Sequence, residues 1–101
     1  MVIGVISGSV VASHQTPNMI GLPLRVVRKV SAEGEISDTY MVAVDTLGAA
    51  DGEYVLVANG STARQTALTD TKPIDAVIMA IVDQWQIDGQ TRYDKTSTPT
   101  K

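Results

Sequence analysis

The sequence predicts an all-β domain, a small OB-like β-barrel with one short helix. Three observations lead there. Valine and isoleucine dominate the apolar residues. Turn residues recur at short intervals, so the runs between them suit strands rather than long helices. Gly4 and Gly8 stand four residues apart in the first apolar run, as in a strand bent around a small barrel.

The first strand is expected from Val2 to Ala12, with Val2, Gly4, Ile6, Gly8 and Val10 on its inward face. "HQTPNMIG" reads as a loop with a Pro17-Asn18 turn. "LPLRVVRKV" is the second strand, with Leu22, Leu24, Val26 and Val30 on one face and Arg25, Val27 and Lys29 on the other. Arg28 breaks that alternation and marks a bulge or a rim. "SAEGEISD" makes a polar hairpin connection around Gly34. "TYMVAVDT" and "EYVLVAN" are the third and fourth strands, joined by the small-residue turn "LGAADG". A short helix is expected from Ser61 or Thr62 to about Leu68, ended by "TDTKP", because Pro73 forbids continuation. "IDAVIMAIVDQWQID" is the last long strand, and "GQTRYDK" returns along it through a turn at Asp88-Gly89. Residues 1–95 form one domain, and the polar segment 96–101 is a mobile tail.

Composition bounds the chemistry. A chain of 101 residues can bury about 60–65% of its unfolded surface around one core. The absence of cysteine excludes disulfide staples, thiolate nucleophiles and cysteine metal sites, and fits a cytoplasmic setting. The N-terminus has no basic region and is interrupted by Gly4, Ser7, Gly8 and Ser9, which makes it a strand rather than a signal peptide. The longest apolar run, Ala76 to Val82, is too short to span a membrane. A net charge of −3 and a pI near 4.8 argue against a nucleic-acid partner held by its phosphates.

Between Ala76 and Val82 both strand parities are apolar: Ala76, Ile78, Ala80 and Val82 on one, Val77, Met79 and Ile81 on the other. A small barrel wall buries one face, so the Val77-Met79-Ile81 face calls for a cover, most simply another copy of the chain. Individual polar residues read quietly. His14 sits in a polar loop with no partner at useful spacing. Asp45, Asp51 and Glu53 lack calcium-loop spacing and suit strand ends and turns. Asp75 and Asp83 flank the apolar strand. Tyr54, Trp85 and Tyr93 suit packing better than base stacking, since Arg25, Arg28 and Lys29 have no interleaved aromatics. No metal or cofactor site is expected.

The stretch "GSTARQTA", residues 60–67, supports two readings. Ser61, Thr62 and Arg64 could cradle an anion at a helix start. The same residues could cap that helix and pin one surface to another.

Taken together, "VAVDTLGAADGEYVLVANGSTARQT" and "KPIDAVIMAIVD" resemble the pentameric vertex proteins of bacterial microcompartments, the EutN/CcmL family. Its pattern of Asp, Gly-Ala-Gly turn, Glu, Gly-Ser-x-Ala-Arg, Pro-x-Asp-Ala and Ile-Val-Asp falls on Asp45, Gly48-Ala49, Glu53, Gly60 to Arg64, Pro73 to Ala76 and Ile81 to Asp83. "GSVVAS" and "IGLPLRVV" match as well. Ala50 departs from the second glycine of the turn. The continuation "QWQIDGQTRYDK" past Ile-Val-Asp looks like the carboxysome members rather than the catabolic ones.

The resemblance implies a cyclic homopentamer that caps the fivefold vertices of a carboxysome shell among hexameric shell proteins. It implies a structural role with no catalysis, nucleic acid or membrane. Under it, "GSTARQTA" is an assembly corner. Ser61, Thr62, Arg64, Gln65, Val77, Met79 and Ile81 are the expected interface, and Gly48, Ala49 and Ala50 or Gly60 and Ser61 line a central opening. The alternatives are an OB-type nucleic-acid binder, a small anion-binding enzyme, and a vertex protein of a catabolic compartment.

Overall fold

The computed structural model describes residues 1–12, 21–60 and 76–96. Seven strands follow in chain order: β1 (Val2–Val10), β2 (Leu24–Val30), β3 (Ile36–Asp45), β4 (Tyr54–Asn59), β5 (Ala76–Ile81), β6 (Gln84–Ile87) and β7 (Gln90–Asp94). The first five close into a barrel in the order β1-β2-β3-β5-β4, with β1 pairing β4 across the closure. Among the described strands only β3 and β5 run parallel, as an OB-like Greek key requires. Strands β6 and β7 form a separate two-stranded sheet. The helix expected from residue 61 or 62 lies outside the described residues.

The barrel is filled by one residue set from each strand. Ile6, Val27, Ala43, Val55, Val57, Ala76 and Ile78 make the core, joined by Ala49 from the β3–β4 turn. Most are small or β-branched, which suits close strand approach and a narrow interior. A second cluster lies on the outer side of the wall. Val44 pairs with Val77 and Val77 with Ala58, and Leu22 and Leu24 pack against this cluster.

Three bulges shape the barrel wall. The one in β2 falls beside Arg28, where the sequence predicts a bulge or a rim, and those in β1 and β5 overturn part of the alternation read from sequence. In β1 the register slips between Ile6 and Gly8, so Gly8 pairs with Val26 and Val10 with Leu24 on the outer side. The expected single inward face from Val2 to Val10 therefore holds only as far as Ile6. In β2 the core face belongs to Val27, which is fully buried, and not to Leu24 and Val26. The register with β3 breaks between Arg28 and Val30, next to the residue whose charge interrupts the pattern. In β5 the partner of Leu56 is Ala80 and that of Val57 is Ile78, leaving Met79 as the extra residue.

The expected last long strand is also two elements. β5 stops at Ile81, Val82 donates its N–H to Tyr54 O at 2.8 Å, and the chain turns into β6 at Gln84. The hairpin turn was legible. Asp88 and Gly89 both have positive φ, 53° and 75°, the type I′ geometry that an Asp-Gly pair favours.

Candidate assembly site

One buried carboxylate organises the end of the barrel. Asp45 ends β3, where only 4% of it is exposed. Its Oδ1 accepts the N–H groups of Leu47 and Gly48, and its Oδ2 that of Ala49, each at 2.9 Å. A strand-end aspartate followed by small residues is suited to folding the next turn around itself in this way. The Arg25 guanidinium lies 3.5 Å from Oδ2. It also donates through Nε to Gly8 O at 3.1 Å, through Nη1 to Ala49 O at 2.5 Å, and through Nη2 to Asp51. Its planar fork ties β1, β2 and the turn into one unit. The ring of contacts closes when Gly52 donates to Ile6 O at 2.9 Å and Ile6 to Glu53 O at 3.0 Å.

Beside this corner, the C-terminal hairpin packs on β4. The Tyr54 and Tyr93 ring centroids are 4.3 Å apart, and Trp85 lies 5.5 Å from Tyr93 and 5.9 Å from Tyr54. The Trp85 indole N–H donates to Ala32 O at 2.7 Å, reaching the β2–β3 connection. Burial pushes the Tyr93 phenol up. Lys95 Nζ donates to Glu53 Oε2 at 2.6 Å. That bond, with the Ala50 N–H on the same carboxylate, holds Glu53 below its ordinary value of 4.5, and Glu53 in turn raises Lys95.

The pH dependence follows in sign. A lowered carboxyl stabilises the fold above its unfolded value, and that stability is lost as pH falls through the folded value. A raised ammonium does the opposite at the alkaline end. The pair therefore contributes across neutral pH and fades at both extremes. In Glu53→Gln the acid-side part of this dependence is expected to disappear from an unfolding series against pH. A series identical to that of the parent chain would refute the assignment.

The residues singled out by sequence are distributed unevenly. Gly48 and Ala50 are exposed on the turn, but Ala49 is only 3% exposed and belongs to the core. Its methyl packs inward. Gly60 is exposed, with φ 65°. Val77 is 1% exposed because the chain's own Leu22, Leu24, Val44 and Ala58 cover it. Ile81 pairs with Val55 and packs on the barrel core, turned inward by the bulge. Of the three residues on the expected uncovered face, only Met79 is open, at 40%. Ser61, Thr62, Arg64, Gln65, His14 and Asp75 lie outside the described residues.

A different apolar surface emerges. The pairs Val10–Leu24, Val26–Val42 and Arg28–Tyr40 share the outer side of β1, β2 and β3, where Val42 is 49% and Tyr40 53% exposed. The Arg28 guanidinium stacks 5.2 Å from the Tyr40 ring centroid. Its signal was present in "TYMVAVDT", where both parities are apolar. Among the described residues no group of three or more His, Cys, Asp or Glu side chains is placed to hold a metal, and no helix is long and apolar enough to cross a membrane.

The family described as ethanolamine utilisation protein EutN/carboxysome matches residues 1–83. The carboxysome shell vertex protein CcmL of Gloeobacter violaceus is 37% identical over 95 residues, covering 94% of this chain and 95% of that protein. Its solved structure superposes with a TM-score of 0.93 at 36% identity, over 96% of this chain and all of that one. EutN of Escherichia coli is 32% identical over 94% of this chain and the whole of its own length, with a TM-score of 0.84 for the solved structure. GrpN of Rhodospirillum rubrum, a pentameric microcompartment shell protein, is 34% identical with a TM-score of 0.79, over 86% of this chain and 99% of its own. The EutN match corrects one expectation: continuation past Ile-Val-Asp does not separate carboxysome members from the others. With the motif from Asp45 to Asp83, the barrel and these matches in agreement, the chain belongs to the EutN/CcmL family.

Proposed function

We propose that this protein is a structural shell protein, five copies of which close into a ring that caps a fivefold vertex of a carboxysome shell. The observation that carries the reading is the likeness to CcmL through 96% of the chain at a TM-score of 0.93. The pentameric state of GrpN supports the count of five. Hexameric shell proteins are the neighbours such a ring would have, because a flat hexagonal sheet needs fivefold tiles to close.

The role is non-catalytic. In the depression of about 310 Å³ lined by Lys29, Val30, Ser31, Ser37 and Thr39, both serine hydroxyls are engaged with backbone. Ser37 Oγ donates to Lys29 O and accepts from Thr39 N–H, and Ser31 Oγ accepts from Glu35 N–H.

A ring contact is heterologous and joins two different surfaces of each copy. We assign one of them to the outer side of β2 and β3 around Val42 and Tyr40, with Met79 and the segment bearing Ser61, Thr62, Arg64 and Gln65 as candidates for the other. Gly48, Ala49 and Ala50, or Gly60 and Ser61, remain the candidates for the opening. In native mass spectrometry the dominant species is expected at 5 × 10.7 = 53.5 kDa. Val42→Glu, which sets a charge in that apolar surface, should shift the population to single chains with the barrel intact by circular dichroism. A parent chain that stays monomeric at every concentration would overturn the ring. A pentameric Val42→Glu would overturn only the choice of surface.

A further inference from the structure

One carboxylate joins the C-terminal hairpin to the turn at the barrel end. Glu53 Oε2 accepts from Lys95 Nζ at 2.6 Å, while Oε1 accepts from Ala50 N–H at 2.7 Å. The Glu53 N–H returns to Ala50 O at 3.1 Å, so the Ala50–Glu53 turn is closed by both backbone and side chain. Lys95 follows β7 directly, and its own N–H donates to Asp83 O at 2.8 Å, which fixes the lysine to the base of the hairpin.

The hairpin itself shares no strand ladder with the barrel. Next to its base it is held by side chains: the Trp85–Tyr93–Tyr54 cluster and the indole bond to Ala32 O. An element docked by a few side-chain contacts opens at lower free energy than one sewn into a sheet. The turn, by contrast, is held by Arg25 at Ala49 O and Asp51 and by Ile6 at Gly52 and Glu53, and its amides have acceptors of different origin. Asp45 grips the N–H groups of Leu47, Gly48 and Ala49, whereas Ala50 depends on Glu53.

We infer that Glu53 is a positioning residue in a relay from the C-terminal hairpin to the Ala50–Glu53 turn: docking of the hairpin places Lys95, Lys95 orients the carboxylate, and the carboxylate closes the turn. A neighbouring molecule that lifts the hairpin therefore loosens the turn. By reciprocity, a neighbour that rigidifies the turn favours the docked hairpin. The relay lies within one chain and does not depend on the proposed ring.

Amide hydrogen exchange on the full-length protein tests it. Trp85→Ala removes the indole anchor of the hairpin without touching Glu53 or Ala50. The Ala50 amide is expected to exchange about fivefold faster, at the low end of couplings measured between sites, while the Gly48 and Ala49 amides keep their rates. Lys95→Ala should do the same and Lys95→Arg should restore the parent rate. An Ala50 rate unchanged in Lys95→Ala would overturn the relay, as would equal acceleration of Gly48 and Ala49, which signals general loosening. Lys95 is half-exposed, so its variant decides the matter even if Trp85→Ala does not fold.

Discussion

Asp45→Ala is expected to lower the unfolding free energy by about 3–5 kcal/mol, because the change leaves several buried groups without a partner at once. The carboxylate accepts three backbone N–H groups and faces Arg25. Removing it strips the acceptors from the turn and uncovers a partly buried guanidinium. Arg25 keeps Gly8 O, Ala49 O and Asp51, which holds the cost below that of an isolated buried cation. Asp45→Asn should fall between the variant and the parent. It retains an oxygen for two amides but presents an N–H₂ group where Ala49 and Arg25 need an acceptor. Denaturant unfolding at one fixed protein concentration measures both, since assembly makes apparent stability concentration-dependent. A shift in midpoint worth less than about 1 kcal/mol for Asp45→Ala would sink the account of this corner.

The corner also shows what the sequence could and could not disclose. Asp45, Asp51 and Glu53 were legible as turn carboxylates, since short polar residues beside glycine recur in turns for a local reason. Arg25 was not, because its partners come from β1 and from the β3–β4 turn, which only closure of the barrel brings together. Strand existence was written in Val and Ile runs punctuated by glycine. Strand facing was not, because an inserted residue reverses parity with no compositional mark. Nothing about Ser7 or Met79 identifies either as the place of the slip. The slip at Met79 turned Ile81 from the outer face to the core. Val77 misled for another reason: it does face outward, but Leu22 and Leu24, more than fifty residues earlier in the chain, already pack over it. The apolar excess that suggested a partner for β5 is mostly consumed within the chain. The open apolar surface lies on β2 and β3 instead.

Glycine spacing gives the second large effect. Gly4 and Gly8 look equivalent in sequence, yet only Gly4 has no room for a side chain. A methyl group on Gly4 would overlap Val27 Cγ1 and stand 3.2 Å from Arg28 O, whereas one on Gly8 would meet nothing nearer than Val26 Cβ at 3.9 Å. Neither glycine has a positive φ, so the requirement is space and not backbone conformation. Val27 is fully buried among the core residues. Its β-branched side chain has little freedom to change rotamer, and the Arg28 carbonyl is fixed by the β1–β2 ladder. Gly4→Ala is therefore expected to cost about 2–3 kcal/mol, at the upper end for overpacking, and Gly8→Ala less than about 1 kcal/mol. Val27→Ala removes the obstructing methyls and leaves a cavity, destabilising on its own. The double variant should nonetheless be less destabilised than the sum of the two single changes by at least about 1 kcal/mol, because each change relieves the defect made by the other. Strict additivity would place the cost of Gly4→Ala somewhere other than Val27.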